Sequence, residues 1–189
     1  MKIDFAKGQW DPKEFDRITS LRTDCRVDFM QEEEGVVNDD RSLPKGSGEY
    51  HYISILHKEP LTSPVTLETV CEFDEYGAPL LVLTDDLVQT EDGFPAYGHH
   101  FEIVAFEEGF NIWELNGTDK PFKAATGRYP VPGKEKVTLT ATIDAEKDTI
   151  IVTMCGETIE CHVEHLPRTF RTGITACEGI NRFYTFEVK

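Results

Sequence analysis

The chain predicts an all-β fold of two antiparallel sheets packed face to face, and three observations carry that expectation. Short runs rich in Val, Ile, Thr, Phe and Tyr recur from end to end, separated by Gly, Pro, Asn and Asp clusters. Within the runs, apolar and polar residues alternate with the period of two that buries one flank of a strand. Helical periodicity is almost absent. Roughly a dozen strands at such spacing fit a sandwich or jelly roll, and 189 residues suit one domain spanning 1–189 with a sizeable core.

Composition narrows the partners. The hydrophobic fraction of 39% with 29% charged residues is that of a folding globular chain. Acidic residues outnumber basic ones 35 to 19, giving a net charge of -16. Such a field repels phosphate backbones and anionic lipid heads, so neither nucleic acid nor a membrane is expected as a partner. Met1-Lys2-Ile3-Asp4-Phe5 carries a charge inside its apolar stretch and lacks the hydrophobic run of a secretory signal. A cytoplasmic protein is therefore favoured over a mature form whose leader has been removed. Cys25, Cys71, Cys155, Cys161 and Cys177 form an odd set without a CxxC pair, which argues for buried reduced thiols over a disulfide framework or zinc knuckle. No GxSxG elbow or phosphate-cradling glycine loop is present, and no cofactor is expected.

Taken in order, strands are expected at 3–6, 25–30 and 49–56, with a surface loop over 31–48. A meander follows over 65–73, 79–83, 99–106 and 110–115, in which Glu107-Glu108-Gly109 is the tight link between the last two strands. These strands are apolar on both sides, as central strands are. A second loop covers 84–98. A weaker strand over 122–129 precedes Val137, Leu139, Ala141 and Ile143, which alternate with Lys136 and threonines and lead through a polar turn into a hairpin. In that hairpin Gly156-Glu157 is the Gly-first pair of a two-residue type II′ turn. The register then sets Met154 opposite Ile159, Val152 opposite Cys161 and Ile150 opposite Val163 on an apolar flank, and Thr153 opposite Glu160 on a wet one. Cys155 and Cys161 fall on opposite sides and do not pair. Strands over 173–177 and 183–188 close the chain.

The run Glu157-Thr-Ile-Glu-Cys161 followed by Leu166-Pro167, then Gly173-Ile-Thr-Ala176 and Glu178-Gly-Ile-Asn-Arg-Phe-Tyr-Thr-Phe-Glu-Val188, resembles the closing strands of concanavalin A-like lectin/glucanase domains. Those jelly rolls end in an aromatic-rich strand after a short Gly-containing loop. Tyr76-Gly-Ala-Pro-Leu-Leu-Val-Leu83, His99-His-Phe-Glu-Ile-Val104 and Phe110-Asn-Ile-Trp-Glu-Leu115 resemble the same superfamily's central strands, so the likeness covers residues 65–189. It implies a concanavalin A-like jelly roll and a carbohydrate partner. It does not choose between lectin, non-catalytic module and glycoside hydrolase.

Candidate site residues follow from that choice. The glucanase branch carries a Glu-x-Asp-x-x-Glu strand, and this chain has Glu72-Phe-Asp74-Glu-Tyr-Gly77 with Gly77 where the second glutamate belongs, which leaves Glu72 and Asp74 as solvated residues before a Tyr-Gly turn. A second carboxylate pair, Glu102 with Glu114, would face across adjacent strands with help from His100. Sugar recognition asks instead for an aromatic face ringed by polar side chains. Trp113, Tyr97, His99, His100, Glu102 and Asn111 supply those types within a short span, and Arg128 and Tyr129 join if their strand borders the same face. The competing reading of Trp113 is core packing. His99-His100 cannot chelate one ion because strand neighbours point to opposite faces, and His162 with His165 fails likewise. Asp39-Asp40 and Asp85-Asp86 lack EF-hand spacing, and Thr185 stands where related jelly rolls carry Asp or Asn, so no metal is expected. The expectation is non-covalent glycan binding on a concave sheet face. Hydrolysis through Glu102 and Glu114 is the alternative, and a protein-interaction module is the third.

Overall fold

In the computed structural model, which describes residues 1–23, 28–39, 52–74 and 76–189, the alternating segments form two sheets. The first third supplies β1 (Lys2–Asp4), β2 (Phe15–Ile18), β3 (Met30–Gln31), β4 (Val36–Asp39), β5 (Tyr52–His57) and β6 (Leu61–Thr62). The centre supplies β7 (Val65–Asp74), β8 (Ala78–Thr84), β9 (Leu87–Gln89), β10 (Pro95–Tyr97), β11 (His99–Phe106), β12 (Gly109–Asn116) and β13 (Phe122–Arg128). The chain ends in β14 (Val137–Asp144), β15 (Thr149–Met154), β16 (Glu157–His162), β17 (Thr169–Cys177) and β18 (Ile180–Val188). One sheet runs β16-β15-β14-β7-β18-β4-β3 with β1 beside β18, and the other runs β13-β12-β11-β8-β17-β5-β2 with β6 beside β17. Among the described residues no helix is long and apolar enough to cross a membrane.

The sandwich is held by the inward flanks of both sheets. Leu67, Cys71 and Phe73 of β7 and Leu139, Ala141 and Ile143 of β14 share one buried cluster with Phe101, Ile103 and Ala105 of β11 and Phe110 and Ile112 of β12. Burying a large apolar side chain of this kind stabilises the fold by about 1.5–3 kcal/mol. The aromatic-rich β18 adds Phe183 and Phe186, both wholly buried, which is why that closing strand lies in the middle of its sheet between β7 and β4.

Several expectations need correction. The segment over 65–73 does not continue into a meander with β8. It pairs with β14 and β18 in one sheet, whereas β8 pairs with β11 and β17 in the other. The link from Asp74 to Ala78 is an arch between sheets, closed by the Gly77 amide donating to the Asp74 carbonyl at 2.9 Å, with Tyr76 at φ 68. The 137–163 meander forms as expected, but its hairpin turns on Cys155-Gly156. Both residues have positive φ, 54 and 83, as a type I′ turn requires. Met154 therefore pairs with Glu157 and Val152 with Ile159. The slip is even in parity, so Val152 and Met154 stay buried as expected. Cys71, Cys155, Cys161 and Cys177 are free thiols, with Cys155 exposed at the turn; Cys25 lies outside the described residues, as do parts of the strands expected at 25–30 and 49–56.

Neither expected loop is plain coil. The one over 31–48 contains β4, and the one over 84–98 folds into the β9–β10 hairpin. Thr19 and Pro95 to Tyr97 exchange backbone hydrogen bonds that tie this hairpin to the end of β2. Tyr97 then joins Ile18, Tyr52, Leu56 and Val82 in a second, smaller apolar cluster. Val82 alternates with Leu81 and Leu83 of the main core, so this cluster lies on the outer face of its sheet. The hairpin covers one part of that face and leaves the rest open.

Candidate binding cleft

On the uncovered part of the outer face lies a cleft of about 680 Å³. Strand parity builds its floor. On β11 the residues Phe101, Ile103 and Ala105 point into the core, which turns Glu102, Val104 and Phe106 outward. The β11–β12 register sets Glu102 opposite Trp113 and Val104 opposite Asn111. Leu80 of β8 and Leu115 of β12 complete the apolar base, and Tyr52 and Cys177 form the inner wall. Tyr76 of the arch, 85% exposed, stands at the rim near Asp74, whose carboxylate pairs with Lys134 at 3.2 Å.

Trp113 is half-buried and belongs to neither apolar cluster, so it lines the cleft instead of packing the core. The Lys123 ammonium lies 4.7 Å from its ring centroid. Asn111 Oδ1 accepts from the Thr126 hydroxyl at 3.0 Å, which leaves the amide Nδ2 as the side chain's donor. Glu102 is 8% exposed, and its Oε1 accepts a hydrogen bond from the Tyr52 hydroxyl at 2.7 Å. Burial first, and the Glu102 charge second, push the Tyr52 phenol well above its ordinary range, so it stays a donor. Behind Glu102, His100 stacks on Tyr97 with centroids 4.7 Å apart, and its Nδ1 donates to the Gly98 carbonyl at 3.1 Å.

The other expected site residues do not reach the floor. Tyr97 is 1% exposed, and its hydroxyl is engaged by Ser54 Oγ at 2.5 Å, so it supports the face from beneath the hairpin. His99 points the opposite way from His100. Its ring meets Phe101 edge-on, and its Nε2 lies 3.0 Å from Glu114 Oε1, the same oxygen that His165 approaches at 3.1 Å. Glu114 is opposite Phe101, on the reverse side of the sheet from Glu102, so the two glutamates cannot flank one ligand. The Glu102–Glu114 pair is thereby overturned. Arg128 is at the sheet edge with its guanidinium 4.9 Å from the ring of Phe106, while Tyr129 packs against the core. Glu72 is not simply solvated, since it accepts from Arg182 and from the Tyr184 hydroxyl. Tyr52, Leu80, Tyr76 and Cys177 were not foreseen at the site. Only Tyr76 carried a local signal, the Tyr-Gly turn.

No family model matches the chain, and no curated protein matches it in sequence. Solved structures do. The carbohydrate-binding module CBM66 from Bacillus subtilis superposes with a TM-score of 0.60 at 14% identity, over 90% of this chain and 94% of its own. The fold is the concanavalin A-like jelly roll. Within that fold, a legume lectin-like domain from Entamoeba histolytica gives 0.60 at 15% identity, over 99% and 96% of the two chains. A Bacteroides ovatus mixed-linkage glucan GH16 protein, solved with a G4G4G3G product, gives 0.63 at 8% identity over 100% and 99%. Jelly rolls so similar in shape and so distant in sequence establish the architecture and leave the ligand to the site.

Proposed function

We propose that this jelly roll binds a glycan non-covalently in the outer-face cleft. Trp113 carries the reading: a half-buried indole outside both cores, directly across from a buried carboxylate and one position removed on its face from an amide donor. An apolar ring between an acceptor and a donor suits the C–H face and hydroxyl rim of a pyranose. The solved structures with this fold, among them a carbohydrate-binding module, a lectin-like domain and a glucan-complexed GH16 protein, support a carbohydrate ligand in general terms. Hydrolysis through Glu102 and Glu114 is disfavoured because it needs two carboxyls flanking one bond, and Glu114 is turned away from Glu102.

A glycan array run beside hydrolysis assays on its hits tests the class. Trp113→Ala tests the site: glycan affinity falls at least tenfold while the melting temperature changes by only a few degrees. Loss of the folded state in this variant, or unchanged affinity, rejects Trp113 as the platform.

A further inference from the structure

Resting on the glycan reading, we propose that Glu102 is the acceptor for one hydroxyl of a neutral sugar, and that Tyr52 and His100 are positioning residues that fix its carboxylate. Three observations converge. The Tyr52 hydroxyl donates to Glu102 Oε1 at 2.7 Å, and His100 Nε2 stands 3.4 Å from that same oxygen. The His100 ring cannot turn away, because Nδ1 is held by the Gly98 carbonyl and the face by Tyr97. His100 is 2% exposed, and with its Nδ1 proton given to Gly98 its Nε2 has no hydrogen-bond partner among the described residues, so the ring bounds the carboxylate by packing.

Both protein groups thus meet on Oε1, and among the described residues no hydrogen bond reaches Oε2. A carboxylate taken out of water needs its lone pairs filled, and Glu102 opens onto a cleft otherwise based on Leu80, Val104, Trp113 and Leu115. A sugar hydroxyl donates without bringing charge. An acidic sugar in the same position sets like charge against a partly desolvated carboxylate. The nearby cation Lys123 engages the Trp113 ring, and among the described residues no Lys or Arg forms an ion pair with Glu102. The opposition of Glu102 and Trp113 across β11 and β12 lets one ring stack and one hydroxyl at its rim reach the carboxylate together.

The test is a double-mutant cycle between protein and ligand. The full chain, Glu102→Gln, Tyr52→Phe and His100→Asn are titrated calorimetrically with mannotriose, with mixed-linkage glucotetraose and with the monodeoxy derivatives of whichever binds. Melting temperatures are recorded alongside. The expected result is one monodeoxy derivative that binds the wild type about tenfold more weakly or worse, as a hydrogen bond to a charged group predicts. The penalty shrinks in Glu102→Gln, whose amide oxygen accepts only a weaker, neutral hydrogen bond, and it shrinks in Tyr52→Phe and His100→Asn. A merely structural role would weaken parent and derivative alike. Equal losses in all variants with glycan binding retained overturn this inference alone; no binding of any array glycan overturns the cleft reading and this inference with it.

Discussion

Glu102 and Glu114 are chemically identical and differ in one respect, the side of β11–β12 on which each emerges. Glu102 meets a phenol and the cleft, whereas Glu114 holds two imidazoles on the reverse side. The parity of two residues per strand repeat makes that difference absolute, because a one-residue slip would exchange every pair. Glu114→Gln therefore leaves glycan affinity within twofold of wild type, and an affinity loss comparable to that of Trp113→Ala would overturn the facial assignment. Lys123 supplies a second residue-scale prediction. Its ammonium occupies the Trp113 ring that a sugar would stack on, an interaction of about 0.5–1 kcal/mol at an exposed site. Lys123→Ala frees that face, so glycan affinity rises by a factor of about two to five.

At the scale of the element, turn chemistry decides register. Cys155 adopts φ 54, a conformation in which Asn is tolerated better than Cys, and it is followed by a glycine at φ 83. Cys155→Asn creates the Asn-Gly pair favoured by this turn and should raise stability by about 0.5–1 kcal/mol, read as an increase in melting temperature of a few degrees. A fall would mean that the exposed thiol contributes something the turn geometry does not reveal. At the other hairpin, Gly109 has φ +125, and a Cβ there would stand 2.1 Å from the Gly127 carbonyl oxygen. The β12–β13 pairing that brings Lys123 to Trp113 depends on that contact. Any larger residue at 109 has to push β13 away.

For the whole molecule, burial leaves a signature in alkali. Burial pushes the Cys71 thiol from an ordinary 9.0 up to about 12. It does the same to the Tyr129 phenol, from 10.0 up to about 12, with nearby negative charge adding to the effect. Burial also raises Tyr97 and Tyr52. The folded state therefore keeps these protons to higher pH than the unfolded chain does. The stability they lend is complete below about pH 9 and is lost as pH climbs towards 12. The melting temperature should fall steadily across that window, and a flat profile there would contradict the burial of these groups.

What was legible in the sequence was local. Alternation in 137–154 announced strands and their buried flank, since side-chain direction follows from backbone parity alone, and the apolar runs over 99–106 and 110–115 announced central strands. Trp113, Glu102, His100 and Asn111 could be picked out because they crowd into one short span. Tertiary structure decided the long-range partners. It sent β7 and β8 to different sheets across a short arch, brought Tyr52 to Glu102 across 50 residues, and laid the 84–98 segment over part of the outer face as a hairpin. Those outcomes depend on which buried faces fit together over the whole chain, an energy that no local pattern contains. The sequence by itself determined that the chain is built of strands and which flank the 137–154 strands bury; only packing decided which flank of the second sheet remained open to form a cleft.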